Sequence, residues 1–441
     1  MLWARRATSA ASVHPTPVEA TYAATKYGVL GHFDVVHTEL RGTEVHFSAV
    51  IPVGVDTVLV AGPGTGAGRC SRRLRGRGVH DIPRGARSGA GRLGGIVLQI
   101  YPLCGSAARS RPIIRRMEES LTTRKQIPGT DLSIFPINLG TNTFGWTADE
   151  AQSHAVLDAF VAGGGNFLDT AESYPAWVPG NTGRESETII GTWLASRGNR
   201  DEVVIATKVG DHPEHKTQDP EYIRTAIDAS LERLQTDHVD LYYAHRDDEV
   251  TPIAEVARVF DEIVRSGKAS YVAVSNYSPA RLAGWFAAAE DEGLVKPVAI
   301  QPQYSLVYRR EFETDLRPVA ERRDLAVFSY FSLAAGFLTG KYRTEADLEG
   351  ADRGGMVQGY FNAAGLKVVD DLVAIADSHN VAPTTVALSW LLAKGVTAPI
   401  ASARTPEQLE AVMAAPGLEL SADEVDRLDR ASTPFAEEEP S

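Results

Sequence analysis

The chain has 441 residues, 43% of them apolar and 23% charged, which is enough for one to three domains with a sizeable buried core. Its net charge of −13 argues against nucleic acid or an anionic membrane surface as the main partner. Because it contains no run of about 18 or more apolar residues, we expect no transmembrane helix.

Charge is distributed unevenly along the chain. Residues 1–116 contain 16 Lys and Arg against 6 Asp and Glu, whereas residues 117–441 contain 28 against 51. Both cysteines, Cys70 and Cys104, lie in the first part, so the second can hold neither a disulfide nor a cysteine metal site. A cysteine-free acidic body is typical of a cytosolic enzyme, and we expect a cytoplasmic location.

The first part, residues 1–116, shows no sustained periodicity, and only 46–70 resembles a strand followed by a glycine turn. The glycines at 64–68 lack the spacing of a phosphate-binding loop. A basic arm that binds RNA or lipid, a targeting peptide, and an upstream extension with Met117 as the natural start all remain open. We interpret this part as a low-order or mis-annotated extension, and 117–441 as the folded domain.

Short apolar, β-branched runs alternate with amphipathic helical patterns from residue 132 onward. Strands are predicted at 135–140, 166–171, 203–209, 239–245, 270–276, 298–303, 325–331 and 398–403. The helices predicted between them include 148–164, 221–235 and 251–267. A strand and a helix repeated eight times predict an α/β fold of the (β/α)8 TIM-barrel type. An open doubly wound sheet is the alternative, but its phosphate fingerprint is missing after the first strand.

Three further features complete the predicted barrel. Thr251 is expected to cap its helix, with proline in the first turn. An irregular insertion at 341–367 precedes a helix at 368–380. The capped, polar segment 421–432 predicts an extra C-terminal helix beyond the eighth unit.

Reactive side chains follow three successive predicted strands. Asp169 ends the second strand and Tyr174 follows it, Lys208 ends the third, and His245 ends the fourth. A single histidine at a strand end is more often structural, and a single lysine usually extends to solvent. In a TIM barrel, however, the C-terminal ends of the strands meet at one rim, which carries the catalytic groups. The four residues together therefore predict an active site.

The chemistry of these groups indicates a reaction. A phenol has a pKa of about 10, and a lysine ammonium beside Tyr174 should lower it. An ion pair with Asp169 should keep Lys208 protonated, and His245 can orient a carbonyl oxygen or share in a proton relay. Such a set protonates an oxygen while hydride reaches the carbon. Since no side chain supplies hydride, a nicotinamide cofactor is implied.

Eight sequence blocks now indicate a family. They are LGTNTFGW (139–146), GGNFLDTAESY (164–174), TKVG (207–210), DLYYAHRDD (240–248), VSNYS (274–278), QPQYSL (301–306), GFLTGKY (336–342) and ARTPEQL (403–409). With these blocks, over about 117–432, the chain resembles the aldo-keto reductases, in the branch of bacterial NADP-dependent oxidoreductases and potassium-channel β-subunits. The resemblance implies reduction of aldehydes or ketones to alcohols with NADPH. Tyr174 would be the general acid/base, and Asp169, Lys208 and His245 would complete the tetrad.

The resemblance also implies a binding site for NADPH or NADP+. Ser275, Asn276 and Gln301 would bind the carboxamide, and Tyr330 would stack on the nicotinamide. Three further groups of cofactor residues are implied. The first follows the first strand: Gly140, Thr141 and Asn142. The second would surround the pyrophosphate and consists of Leu333, Gly336, Leu338 and Lys341, and the third, after the eighth strand, of Ser402, Arg404 and Gln408.

The chain departs from the family in two places within this cofactor site. Phe331–Ser332 stands where the family has Ser–Pro, and Ala411 and Val412 stand where Glu–Asn often holds the adenine. Arg404 would bind the 2′-phosphate of the adenosine, which favours NADPH over NADH.

The sequence says less about the substrate site than about the cofactor site. Trp146 and Trp177 either line the substrate pocket or pack their loops against the barrel. A metal-dependent hydrolase is disfavoured because no two histidines at the rim share ligand-like spacing, so no metal is expected. An NADPH-binding regulatory subunit with little turnover, and a partner-binding role for the basic arm, remain alternatives. The sequence does not indicate the oligomeric state.

Overall fold

The computed structural model describes residues 124–351 and 353–437 throughout, and four strands in the part before them. The chain divides into two compact units, Met1–Thr122 and Thr123–Ser441. Among the described helices, none combines the length and apolar character that crossing a membrane requires.

In the first unit, the four described strands form an antiparallel sheet. Their order is Val58–Val60, Val45–Val50, Ile96–Pro102 and Gly89–Leu93. Two of them begin in or beside the strand-like stretch 46–70. The other two were not predicted, in part because Gly89–Leu93 contains glycine and arginine rather than β-branched residues. The glycines at 64–68 lie outside the described residues, and the low-order interpretation and the domain boundary at 116 stay predictions.

The second unit contains eight parallel strands that follow one another around a barrel. They are β1 (Asn138–Gly140), β2 (Phe167–Asp169), β3 (Val204–Val209), β4 (Val239–Ala244), β5 (Ala269–Ser275), β6 (Ala299–Gln301), β7 (Ala326–Val327) and β8 (Ile400–Ala401). From β1 to β7 each strand pairs with the next one in the sequence, and β8 pairs with β1. Ile400 N also donates to Ser329 O beyond β7 (2.8 Å), which links the two remaining edges. The predicted (β/α)8 fold is confirmed.

Helices alternate with these strands. The α-helices are α1 (Glu150–Ala162), α2 (Glu185–Arg197), α3 (Pro220–Leu234), α4 (Ile253–Arg265), α5 (Pro279–Glu292), α6 (Arg317–Arg323), α7 (Gly354–Val357), α8 (Ala363–His379), α9 (Pro383–Ala393), α10 (Pro406–Met413), α11 (Ala422–Ala431) and α12 (Pro434–Glu437). Shorter turns are 3-10 helices at Arg200–Glu202, Ala334–Thr339, Glu345–Leu348, Gln358–Tyr360 and Ala415–Gly417, and a π-helix at Glu311–Leu316. A hairpin of Lys125–Gln126 and Ser133–Ile134 precedes the barrel.

Two helix starts differ from the prediction by more than a small shift, one in its cap and one by five residues. Helix α4 begins at Ile253, and Thr251 does not cap it, because its hydroxyl donates to Asp248 Oδ2 (2.6 Å). Helix α8 begins five residues earlier than predicted, because the side chain of Asn362 accepts from Gly365 N (2.9 Å) and caps the helix there. The predicted extra C-terminal helix is present as α11.

The barrel interior is filled by alternate residues of the strands. Its buried apolar cluster consists of Ile127, Ile134, Phe167, Val204, Ala206, Leu241, Tyr243, Ala273, Ala299, Ala326, Phe328 and Ala398. Since side chains of a strand alternate between its two faces, the residue two positions after each member that lies on a barrel strand also faces inward. The alternation of inward-facing positions therefore determines which side chains lie at the C-terminal ends of the strands.

Candidate active site

The reactive side chains continue the inward-facing rows of the barrel. On β3, Ala206 is in the interior cluster and Lys208 is the next residue on the same face; on β4, Tyr243 is followed in the same way by His245. Across the ladders, Asp169 pairs with Ala206 and Lys208 pairs with Tyr243. The register thus brings the side chains of Asp169, Lys208 and His245 to adjacent positions at one rim.

Lys208 is the centre of the site. Its Nζ donates to Asp169 Oδ1, to Thr170 O (2.8 Å) and to Tyr174 OH (3.2 Å). The side chains of Lys208 and Asp169 are 0% and 2% exposed, and Gln301 Nε2 donates to Asp169 Oδ2 (2.8 Å). The predicted ion pair is therefore present, and each ammonium proton has an acceptor.

The expectation of a lowered pKa for Tyr174 is wrong. Burial raises the pKa of its phenol above the usual value, and the nearby ammonium of Lys208 offsets this only in part. Burial, the largest single cause, would lower the pKa of Lys208, but the charges and hydrogen bonds of Asp169 and Tyr174 together outweigh it and raise that pKa. At neutral pH Tyr174 is therefore a neutral phenol beside a charged lysine.

His245 faces the same phenol. Its ring lies 5.9 Å from that of Tyr174, edge to face, and only 8% of the residue is exposed. Burial holds the pKa of His245 well below its usual value, with further lowering by the positive charges of Lys208 and Arg246. Among the described residues, no group forms a hydrogen bond with its buried Nδ1. A neutral imidazole can orient a substrate oxygen without adding a second charge to the site.

Most of the predicted carboxamide group is connected by hydrogen bonds. Asn276 Nδ2 donates to His245 O (2.9 Å) and Ser275 Oγ (3.1 Å), and Tyr330 OH donates to Asn276 Oδ1 (2.8 Å). Ser275 Oγ in turn donates to Gln301 O (2.8 Å). These bonds fix the Tyr330 ring beside the tetrad. They also use several of the polar atoms predicted to contact the carboxamide, so those contacts stay a prediction.

The loop after β7 suits an anion. Ala334, Ala335 and Gly336 have positive φ angles of 47°, 55° and 95°, a backbone course that turns sharply within three residues. A Cβ at Gly336 would lie 3.3 Å from Lys341 Nζ, so the ammonium sits directly over this turn. Such a turn with a cation beside it fits a diphosphate. Leu333 packs against the core and the Leu338 side chain is fully buried within it, so a phosphate contact from Leu338 would have to come from its backbone.

The residues predicted after β1 lie beside those after β8. Ser402 Oγ donates to Asn142 Oδ1 (2.8 Å), and a Cβ at Gly140 would be 2.9 Å from Ser402 Oγ. Thr141 is fully buried, and its hydroxyl donates to Asp169 O (2.8 Å). The Thr141 side chain therefore supports β2, and its cofactor contact stays a prediction.

Arg404 and Gln408 lie at the start of α10. Gln408 Oε1 accepts from Arg404 N (2.8 Å), which closes the turn into the helix. The N-terminal end of a helix favours negative charge.

Aromatic rings extend outward from Tyr174. Its ring lies 5.8 Å from that of Trp177, and Trp177 lies 5.8 Å from Trp146. Beyond them the guanidinium of Arg353 lies 5.2 Å from the Trp146 ring. The two tryptophans thus lie beside Tyr174, and their contact with a substrate stays a prediction.

Four contributions to the site escaped the sequence. They are the carbonyl of Thr170, the bond from Gln301 to Asp169, the position of Arg353, and the burial of Glu172. Thr170 and Glu172 lie between Asp169 and Tyr174 in one quoted block and Gln301 opens another, whereas Arg353 lies in none.

Glu172 is a buried carboxyl behind the site. Its oxygens accept from Gly210 N (2.9 Å) and Tyr222 OH (3.0 Å), and the residue is 2% exposed. Burial, the largest cause, raises its pKa from 4.5 to about 7. In the folded protein this carboxyl therefore binds its proton more tightly than in the unfolded chain.

We expect Glu172→Gln to reduce the pH dependence of the free energy of unfolding. Because its pKa is raised in the folded protein, this carboxyl stabilises the fold fully below about pH 4.5. That contribution, up to about 3 kcal/mol, is lost as the pH rises through about 7. Glutamine stays neutral and has about the same shape, so it removes this loss. Urea unfolding at pH 5 and pH 8 measures the effect, with the exposed Glu349→Gln as control. If the free energy of unfolding of Glu172→Gln fell between pH 5 and pH 8 as much as that of the wild type, Glu172 would not be the group responsible.

In the described part of the chain, no three His, Cys, Asp or Glu side chains are grouped so that they could hold a metal ion.

The chain is similar to several known proteins. A family model described as "Aldo/keto reductase family" matches residues 136–433. "Protein tas" of Escherichia coli is 34% identical over 328 residues, which cover 68% of this chain and 94% of that protein. "Uncharacterized oxidoreductase YrpG" of Bacillus subtilis is 35% identical, covering 64% and 86%. "Norsolorinic acid reductase stcV" of Emericella nidulans is 32% identical, covering 68% and 78%.

Proposed function

Because this chain belongs to the aldo/keto reductase family, we propose that it reduces aldehydes or ketones to alcohols with NADPH, using Tyr174 as the proton donor. One observation carries the proposal: the phenol of Tyr174 lies 3.2 Å from the ammonium of Lys208, which is paired with the buried Asp169. The names of two relatives, an oxidoreductase and a reductase, support this class of reaction. Residues 117–441 are acidic and contain no cysteine, and this composition favours a location in the cytoplasm. It also favours this domain as the site of the activity.

Each side chain has a step in this reaction. Tyr174 donates its proton to the carbonyl oxygen, and Lys208 stabilises the phenolate that forms. Asp169 keeps the lysine charged, and neutral His245 orients the oxygen that receives the proton. A reduced nicotinamide cofactor, when bound, supplies the hydride.

The residues present fit such a cofactor. The Tyr330 ring, held by Asn276, would lie against the nicotinamide. The turn at Ala334–Gly336 with Lys341 would hold the pyrophosphate. Arg404, at the start of α10, would take the 2′-phosphate.

Arg404→Ala should raise the KM for NADPH by about 10-fold or more and leave the KM for NADH nearly unchanged. A charge-assisted contact to phosphate contributes about 1.5–3 kcal/mol, and NADH lacks that phosphate. Steady-state kinetics with both cofactors measures the two values, with the exposed Arg430→Ala as control. A similar rise for both cofactors would contradict the assignment to the 2′-phosphate.

The function itself is tested by mixing the full chain with NADPH and a panel of aldehydes and ketones, and following the loss of NADPH absorbance. Turnover that depends on the carbonyl compound supports the proposal. Tight binding of NADPH without turnover of any of them would favour the alternative, a cofactor-sensing regulatory subunit.

A further inference from the structure

Phe331, in the loop after β7, has a backbone conformation that is unusual for a bulky residue. Its φ angle is 49°, in the left-handed region, and it is the one aromatic among the described non-glycine residues with positive φ. A bulky side chain is unfavourable in this region, so the conformation persists only where the surrounding structure enforces it. Such residues are concentrated at ligand-binding sites, which makes Phe331 a candidate for a functional role.

Hydrogen bonds on both sides of Phe331 enforce this conformation. Before it, Tyr330 N donates to Pro302 O (2.9 Å). After it, the buried Ser332 donates from its Oγ to Ser329 O (2.9 Å), and that Oγ also lies 3.0 Å from Ser329 Oγ. The chain from 329 to 332 is therefore held as a turn, and within it Phe331 remains 41% exposed.

This turn is one of the places where the chain departs from its family. Phe331–Ser332 stands where the family has Ser–Pro. The hydroxyl of Ser332 is buried and bonded within the turn, so it does not replace the serine that the family has one position earlier. An aromatic ring stands there instead, and a ring contributes to binding through buried apolar area rather than through hydrogen bonds. The departure therefore changes the kind of contact that this position can make.

The ring of Phe331 lies beside that of Tyr330. In an extended strand, consecutive side chains point to opposite faces, but these two ring centroids are only 5.6 Å apart. Because Tyr330 is held beside the tetrad by its bond to Asn276 (2.8 Å), the Phe331 ring extends the same surface toward solvent. On the other side, Ala334 N donates to Phe331 O (2.7 Å), and Ala334 begins the run of positive φ angles. Phe331 thus lies between the ring proposed to stack on the nicotinamide and the turn proposed to hold the diphosphate.

We propose that the Phe331 ring packs on the nicotinamide ribose of the cofactor and covers it from solvent. The inference rests on the proposed reductase function, and it assigns to this chain an apolar contact in place of the family's hydroxyl. An exposed ring that is buried against a ligand gains free energy, so this contact strengthens cofactor binding. The cover also excludes water from the place where hydride is transferred, which strengthens the electrostatic interactions there.

Three ligands locate the contact, because they share different parts of the cofactor. NADPH and NADH both contain the nicotinamide ribose, whereas adenosine 2′,5′-bisphosphate lacks it and keeps the 2′-phosphate. Phe331→Ala should raise the Kd of NADPH and of NADH by about three- to tenfold, and leave the Kd of the bisphosphate within about twofold. Titration calorimetry with the full chain measures all three values. Met356→Ala, which removes a similarly exposed apolar side chain from α7, is the control and should change none of them.

Two further variants separate the ring from the backbone of the turn. Phe331→Leu keeps most of the apolar area and should recover most of the affinity for NADPH. Glycine adopts a left-handed φ without cost, so Phe331→Gly removes the ring while it permits the same course of the backbone. It should therefore raise the Kd of NADPH as much as alanine does. A normal Kd in Phe331→Gly would show that alanine had acted by distorting the turn, and would overturn the inference.

The outcomes separate this inference from the proposed function. If Phe331→Ala left the Kd of both dinucleotides unchanged, or weakened the bisphosphate equally, the inference would be overturned and the reductase function left intact. An unchanged Kd with a raised KM for the carbonyl compound would place the ring against the substrate and overturn the inference as well. Because the Kd values do not depend on turnover, NADPH binding that weakens in Phe331→Ala would support the contact even if no carbonyl compound were reduced. Failure of the wild type to bind NADPH would overturn both.

Discussion

Replacing Tyr174 with phenylalanine should lower kcat for carbonyl reduction by about 100- to 10,000-fold, while the Kd for NADPH stays within about twofold. The change removes the only atom proposed to donate the proton. The ring remains, and it keeps its packing on Trp177 and His245. Loss of NADPH absorbance measures the rate, and a fluorescence titration measures cofactor binding.

Tyr271→Phe is the matched control for this prediction. Tyr271 lies near the start of β5, at the other end of the barrel, and donates to Asp131 Oδ1 (2.8 Å). Removing that hydroxyl deletes this bond and the one it accepts from Asp131 N (3.2 Å), but it should leave the rate unchanged. If Tyr174→Phe kept more than a tenth of the activity, Tyr174 would not be the donor, and His245 would be the next residue to test.

The location of the site could be predicted from the sequence because two regularities coincide there. Inward-facing residues recur at every second position, and the apolar rows stop at a polar residue where each strand meets the rim. Lys208 and His245 are therefore visible as the last members of their rows. The ends of the strands were less predictable, because the sequence stays apolar beyond the point where the hydrogen-bonded ladder stops, as at Ala326–Val327.

What the sequence could not predict depends on burial and on contacts between distant segments. The pKa of Tyr174 is raised because burial outweighs the attraction of Lys208, and a sequence shows the lysine but not the extent of burial. Gln301 and Asp169 are 132 positions apart, and Arg353 lies in an insertion without a motif. Their roles became visible only when the barrel brought the segments together.

Lys208→Met should lower the free energy of unfolding by about 3–5 kcal/mol at neutral pH, in addition to abolishing activity. The change leaves Asp169 as a buried carboxylate without its cation, and only Gln301 still donates to it. The loss should shrink as the pH falls, because burial already raises the pKa of Asp169 and removing the cation raises it further, so the carboxyl becomes neutral on acidification. Urea unfolding at several pH values measures this.

The double variant Lys208→Met/Asp169→Asn distinguishes charge from packing. Asparagine carries no charge and can still accept from Gln301, so the double variant should regain most of the lost stability while remaining inactive. The exposed pair Lys268 and Asp228 is the control, where the same two changes should each cost less than about 1 kcal/mol. If the double variant were as unstable as Lys208→Met alone, the bonds from the ammonium to Thr170 O and Tyr174 OH would be what stabilises the fold. If stability returned without activity, the buried ion pair would serve the reaction rather than the fold, because a neutral pair of similar shape would hold the barrel equally well.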